Sequence, residues 1–135
     1  MNRRFKIVTW LLRLNGALLL LAIVAVFFPT SLMNSIHARL GMGQLPEAPI
    51  VEYLTRSLSA LYAVHGALTI CLTLRMRAAW WIVPYLAGLH ICFGMIVTVI
   101  DFQADLPIYW SLLEGPPISG FGLLVCLLWN TTKLD

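Results

Sequence analysis

Six side chains able to carry a charge or hold a polar partner interrupt otherwise apolar runs of this sequence: Asn15, Glu52, Arg56, His65, His90 and Asp101. Ionisable groups inside apolar segments are costly and usually face a bundle interior or water, so each is a candidate for function. Glu52 and Arg56 stand four residues apart, within about 40° of each other on a helix, and can pair. The planar guanidinium of Arg56 can hold two carboxylates at once, and Asp101 and Glu114 supply two more acids on the same side of the chain's predicted topology. These four residues predict an outward-facing polar pocket built from Glu52, Arg56, Asp101 and Glu114. The competing reading of Glu52 and Arg56 is an anchor at a helix end, from which an arginine snorkels to water.

The histidines allow a different chemistry. His90 shares a helical face with Gly94, Val97 and Asp101, which lie about 40°, 340° and 20° from it and form a polar stripe running inward from Asp101. His65 lies about 21 Å along its segment from Val51, and His90 about 16 Å along its own from Asp101, which puts the two at similar depth. Two such histidines could supply both axial ligands of haem b, serve a quinone-linked redox subunit, or form a proton relay. His65 is also about 180° from Arg56 on its helix, which opposes pointing both into one centre. The plainer alternative for each is a hydrogen-bonded residue between helices. Cys71, Cys92 and Cys126 include no C-x-x-C pair and no metal-ligand spacing, which opposes a disulfide-generating enzyme, and no metal site is expected.

The elements that must position these residues are membrane spans. The 135 residues are 60% hydrophobic and 11% charged, against about 45–50% and about 25% in soluble globular domains. Mean hydropathy is +0.86. This composition excludes disordered, collagenous and disulfide-scaffold chains and a nucleic-acid-binding role. A span needs roughly 20 mostly apolar residues. Four stretches come near that length, at about 10–28, 51–74, 78–100 and 116–132. The fourth reaches it only if Pro116-Pro117 form its first turn and Thr131-Thr132 its last. The predicted fold is therefore all-α, a four-helix transmembrane bundle filling residues 1–135 as a single membrane domain.

Arg3, Arg4, Lys6, Arg13, Arg75, Arg77 and Lys133 fall on one side of such a chain, which predicts cytoplasmic termini and an inner-membrane location in a bacterium. The formal net charge of +3 then reflects orientation rather than an acidic partner. Trp10, Trp80-Trp81 and Trp129 are expected at one headgroup level and Trp110 at the other. A cleaved signal peptide is the rival for residues 1–28, but Val26-Phe27-Phe28-Pro29 offers no small-x-small cleavage site. The Asn130-Thr131-Thr132 glycosylation pattern would lie on the cytoplasmic side and be silent. Between the first two spans, residues 30–43 predict a short interfacial helix capped by Ser31, carrying Leu32, Ile36 and Leu40 on one face and ended by Gly41. Before the last span, residues 107–114 predict two helical turns bearing Tyr109 and Trp110, with Gly115-Pro116 breaking into the span.

Gly16-Ala17, Ala60, Ala63, Gly66-Ala67, Ala87-Gly88, Gly94 and Gly120-x-Gly122 permit close helix approach, which packing in lipid requires. The segments Glu52-Tyr53-Leu54-Thr55-Arg56 and Leu61-Tyr62-Ala63-Val64-His65-Gly66-Ala67, with the later Trp110…Glu114-Gly115-Pro116, resemble small DoxX-like four-helix membrane proteins across about two thirds of the chain. The resemblance implies a left-handed four-helix bundle, carries over Arg56 and Glu114, and includes relatives that are membrane subunits of quinone-linked oxidoreductases. Three functions follow as expectations. The first is a non-enzymatic bundle or membrane subunit with the polar pocket. The second is a haem- or quinone-linked redox subunit using His65 and His90. The third is a small oligomeric transporter, disfavoured because no acid sits at mid-depth. The bilayer is the expected partner in each case, with a membrane-protein partner or a second copy beside it.

Overall fold

A computed structural model describes residues 3–130, so Thr131, Thr132 and Lys133, on which the fourth span and part of the charge count relied, lie outside the described residues. In chain order the helices are α1 (Arg3–Leu20), α2 (Ile23–Val26), α3 (Thr30–Arg39), α4 (Pro49–Leu74), α5 (Val83–Gln103), α6 (Ile108–Leu113) and α7 (Gly115–Asn130), with a 3₁₀ turn at Trp80–Ile82 leading into α5. No strand occurs among the described residues. Four stretches, Arg3–Val26, Pro49–Leu74, Trp80–Gln103 and Ile108–Asn130, are long and apolar enough to cross a membrane.

The helix ends follow local rules, and several differ from expectation. The first helix begins at Arg3, ahead of the expected span start near Trp10, because nothing in residues 3–9 opposes a helix; of their apolar members Phe5 and Val8 are buried and Ile7 is exposed. It is interrupted at Leu21-Ala22, where the backbone tightens to three-residue bonds such as Ala22 N–H to Leu19 C=O (3.1 Å). Pro29, not Ser31, stands at the start of α3, and no side chain caps it, since Pro29 is extended (φ −58°, ψ 143°) and Thr30 is already helical. The Leu32 and Ile36 face of α3 stays exposed, and the buried residue is Met33. Gly41 (φ 70°) ends this helix in the left-handed region that favours glycine. The connector then folds back: Leu45 N–H donates to Asn34 Oδ1 (2.8 Å) and His37 Nδ1 to the Gly43 carbonyl (2.9 Å).

The fourth span is completed at its beginning. The 16 residues of α7 are preceded by α6, and Glu114 between them keeps near-helical angles (φ −97°, ψ −76°), so the two form one kinked apolar stretch. Pro116 and Pro117 occupy the first turn of α7, where their missing N–H groups cost no intrahelical bond.

The described chain divides into two compact units. One is Leu12–Leu74. In it the later part of α1 and α2 run antiparallel to α4, and the closest approach is glycine on glycine: a Cβ on Gly66 would lie 2.5 Å from the Gly16 carbonyl oxygen and 2.5 Å from Leu20 N. The other unit comprises residues 3–11 and 75–130. Here α5 and α7 run antiparallel, with glycine on glycine at one level and glycine on alanine at another. A Cβ on Gly94 would meet the Gly115 carbonyl at 2.5 Å, and one on Gly122 would meet the Ala87 carbonyl at 2.6 Å. Gly88 and Gly120, grouped with these by sequence, have no neighbour within 4 Å of a built Cβ.

Side-chain polarity is inverted relative to a water-soluble protein. Leu18, Leu21, Phe27, Leu61, Leu68, Leu89, Met95 and Leu127 are exposed, while Gly66, Thr69, Thr73, His90, Asp101 and Ser111 are buried. Small and hydroxyl-bearing residues at helix contacts with large apolar residues outside are what a hydrocarbon solvent selects.

Candidate functional site

In the Leu12–Leu74 unit, Arg56 on α4 receives Glu52 one turn earlier, with Nε 3.0 Å and Nη2 2.8 Å from Glu52 Oε1. The rest of the fork reaches across to the end of the first span. Nη1 donates to the Val26 carbonyl and Nη2 to the Phe28 carbonyl (3.1 Å). Val26 closes α2 and Phe28 precedes Pro29, so neither carbonyl has a helical donor ahead of it, and Arg56 supplies the missing bonds. The opposite end of the same helix pair repeats the arrangement in reverse. Arg13 on α1 donates through Nε to Thr73 Oγ1 (3.2 Å) and through Nη2 to the Thr73 carbonyl (3.4 Å), near the end of α4. Each helix thus lends an arginine to the C-terminal end of its antiparallel neighbour. The sequence shows Arg13 only as a topology-setting cation, because its partner is 60 residues away.

In the other unit, the face of α5 expected from helical spacing is the buried one: Val83, Leu86, Ala87, His90, Gly94, Val97 and Asp101 line it. His90 Nδ1 lies 2.8 Å from the Leu86 carbonyl, and since a carbonyl only accepts, Nδ1 carries the proton. Its ring packs on Phe121 with centroids 5.2 Å apart. His65 belongs to the Leu12–Leu74 unit, where it is half-buried and its carbonyl accepts from Thr69 Oγ1 (2.9 Å). Among the described residues no group of three or more His, Cys, Asp or Glu side chains could hold a metal ion.

At the far end of the α5 stripe sits the most unusual polar cluster. Asp101 is 4% exposed, and its Oδ2 has no hydrogen-bond partner among the described residues. Ser111 on α6 is fully buried and its Oγ is likewise unpartnered. Glu114, at the kink between α6 and α7, is close enough to Asp101 for their charges to interact, and the Trp110 indole donates to it from one turn before. Neither acid forms an ion pair among the described residues. A buried carboxylate oxygen without a donor costs several kcal/mol while the acid is ionised, on the order of a lost charge-assisted bond or more.

Sequence reasoning missed two contributors. Ser111 reads as one polar residue in an amphipathic turn, and Ser119 Oγ donates to the Ile91 carbonyl (3.0 Å) across the α5–α7 contact. The spacing Gly115, Ser119, Gly122 was the available signal, since these positions share one helical face. The tryptophans also divide. Trp10 and Trp81 are exposed as interfacial rings should be, but Trp80 is buried against Phe5 (centroids 5.0 Å), and its carbonyl accepts from Trp129 Nε1 (3.1 Å). Comparison with protein-family models, curated proteins and solved structures finds no match for the chain.

Proposed function

We propose that this chain is a multi-pass helical membrane protein that acts by binding, as a membrane subunit, through a polar pocket around Asp101, Ser111 and Glu114. Its spans form a four-helix bundle with both termini in the cytoplasm of a bacterial cell, and the pocket opens on the opposite side. The observation that carries the reading is the buried Asp101, an acid without a hydrogen-bond partner at Oδ2 among the described residues, in a chain whose long helices turn many large apolar side chains outward. The distribution of Arg3, Arg4, Lys6, Arg75 and Arg77 supports the orientation. Glu52 and Arg56 serve this protein as a clamp on the end of the first span.

The test is site-directed labelling in a background with Cys71→Ala, Cys92→Ala and Cys126→Ala. A cysteine at Arg75 should react with a membrane-impermeant maleimide only from the cytoplasmic side. One at Glu114 should react with a small impermeant thiosulfonate only from the outside. Outside labelling of Arg75→Cys overturns the topology, and an inert Glu114→Cys overturns the outward-opening polar pocket.

A further inference from the structure

The orphaned oxygens at the end of α5 carry a more specific conclusion. Gly115 is pressed on Thr98, with its would-be Cβ 2.8 Å from Thr98 N, which fixes the register between the helices. Asp101 lies one turn onward from Thr98, and Ser111 stands four residues before Gly115 on the short helix that packs against α5. Ser111 is the buried position of a short helix whose Ile108, Tyr109, Leu112 and Leu113 are exposed, and that helix packs on α5 and α7.

The polar groups where the end of α5 meets α6 and the kink are all oxygens: the Asp101 carboxylate, the Ser111 hydroxyl and the Glu114 carboxylate. His90, the imidazole on the same stripe, is about 16 Å away along the helix. Oxygen donors select hard cations over thiophilic or imidazole-seeking metals. Two carboxylates close enough to repel match a double positive charge, and donors drawn from two helices and a kink form an irregular shell. Calcium tolerates irregular oxygen shells, whereas magnesium demands a near-ideal octahedron. We propose that Asp101, Ser111 and Glu114 bind one hard divalent cation, with calcium the best fit, water completing its shell. The proposal rests on the pocket reading above and names its ligand.

Purified full-length protein, treated with chelator and placed in lipid nanodiscs, is titrated with calcium chloride, and both thermal unfolding and bound calcium by equilibrium dialysis are followed. The expected result is a saturable rise of several degrees in the unfolding temperature and about one ion per chain, with a smaller rise for magnesium. Sodium chloride at matched ionic strength should leave the temperature unchanged. Ser111→Ala, which keeps both charges, should bind about tenfold more weakly, the worth of one polar contact to a charge. Asp101→Asn should abolish binding. No saturable calcium binding by the wild-type protein, an equal response to sodium, or unchanged affinity in Ser111→Ala overturns the cation site. The wild-type dialysis decides even if Asp101→Asn fails to fold. Labelling of Glu114→Cys from outside without calcium binding would leave the pocket standing and remove only its ligand.

Discussion

Replacing Gly66 by alanine tests the packing of the Leu12–Leu74 unit more sharply than any polar substitution. The new methyl would sit 2.5 Å from the Gly16 carbonyl oxygen, 2.5 Å from Leu20 N and 3.0 Å from the Leu19 carbonyl carbon. All three are backbone atoms and cannot rotate away. Ordinary carbon contacts begin near 3.4 Å, so α1 and α4 must separate by roughly 0.9 Å along that line. Overpacking of this kind costs about 1–3 kcal/mol, and clashes with backbone place it at the upper end. Alanine returns about 1 kcal/mol of helix propensity, leaving a net loss of about 1–2 kcal/mol. Gly120→Ala is the internal control, because its Cβ meets nothing within 4 Å and only the propensity gain of about 0.4–1 kcal/mol remains. The same substitution on two glycines of apolar helices should thus have opposite signs. At roughly 2–4 °C per kcal/mol the two variants should unfold roughly 3–12 °C apart in detergent or nanodiscs, with Gly66→Ala the lower. Equal unfolding temperatures would refute the glycine-on-glycine contact.

Arg56→Gln should destabilise by about 2 kcal/mol through the two helix-end carbonyls, with its half-exposed pair to Glu52 adding under about 1 kcal/mol. Arg56→Lys separates fork from charge: unfolding close to that of the glutamine variant supports the carbonyl clamp, and unfolding close to wild type would show that a snorkelling cation suffices. Trp80→Ala should cost about 3–5 kcal/mol, as for other buried large aromatics, while Trp81→Ala in the same assay should change little. A bis-histidine haem spectrum in purified protein that disappears in His90→Ala would favour the redox reading over the binding reading, and a colourless preparation from haem-replete cells would eliminate haem b.

The location of the spans is a local property and is legible in the sequence, because hydrocarbon thickness, helical rise and proline or charge at the ends act within one segment. That is why α4 and α5 fall close to their expected bounds, and why the stripe from His90 through Gly94 and Val97 to Asp101 is buried as its 100° spacing requires. Glu52 as the partner of Arg56 is legible for the same reason, one turn apart on one helix. What lies beyond a turn was decided by tertiary structure. The carbonyls of Val26 and Phe28 that occupy the rest of the Arg56 fork are 30 and 28 residues away, and Thr73 is 60 residues from Arg13. Gly66 and Gly120 are the same residue in equally apolar helices, and only the approach of a second backbone makes one indispensable and the other replaceable. Trp80 and Trp81 differ by one step of about 120° around the 3₁₀ turn, and that rotation sends one ring onto Phe5 and the other outward. Ser111 acquires meaning in the same way: a single hydroxyl carries no sequence signal, and its burial, which depends on how α6 packs on α5 and α7, leaves its oxygen without a partner among the described residues, as Asp101 Oδ2 is.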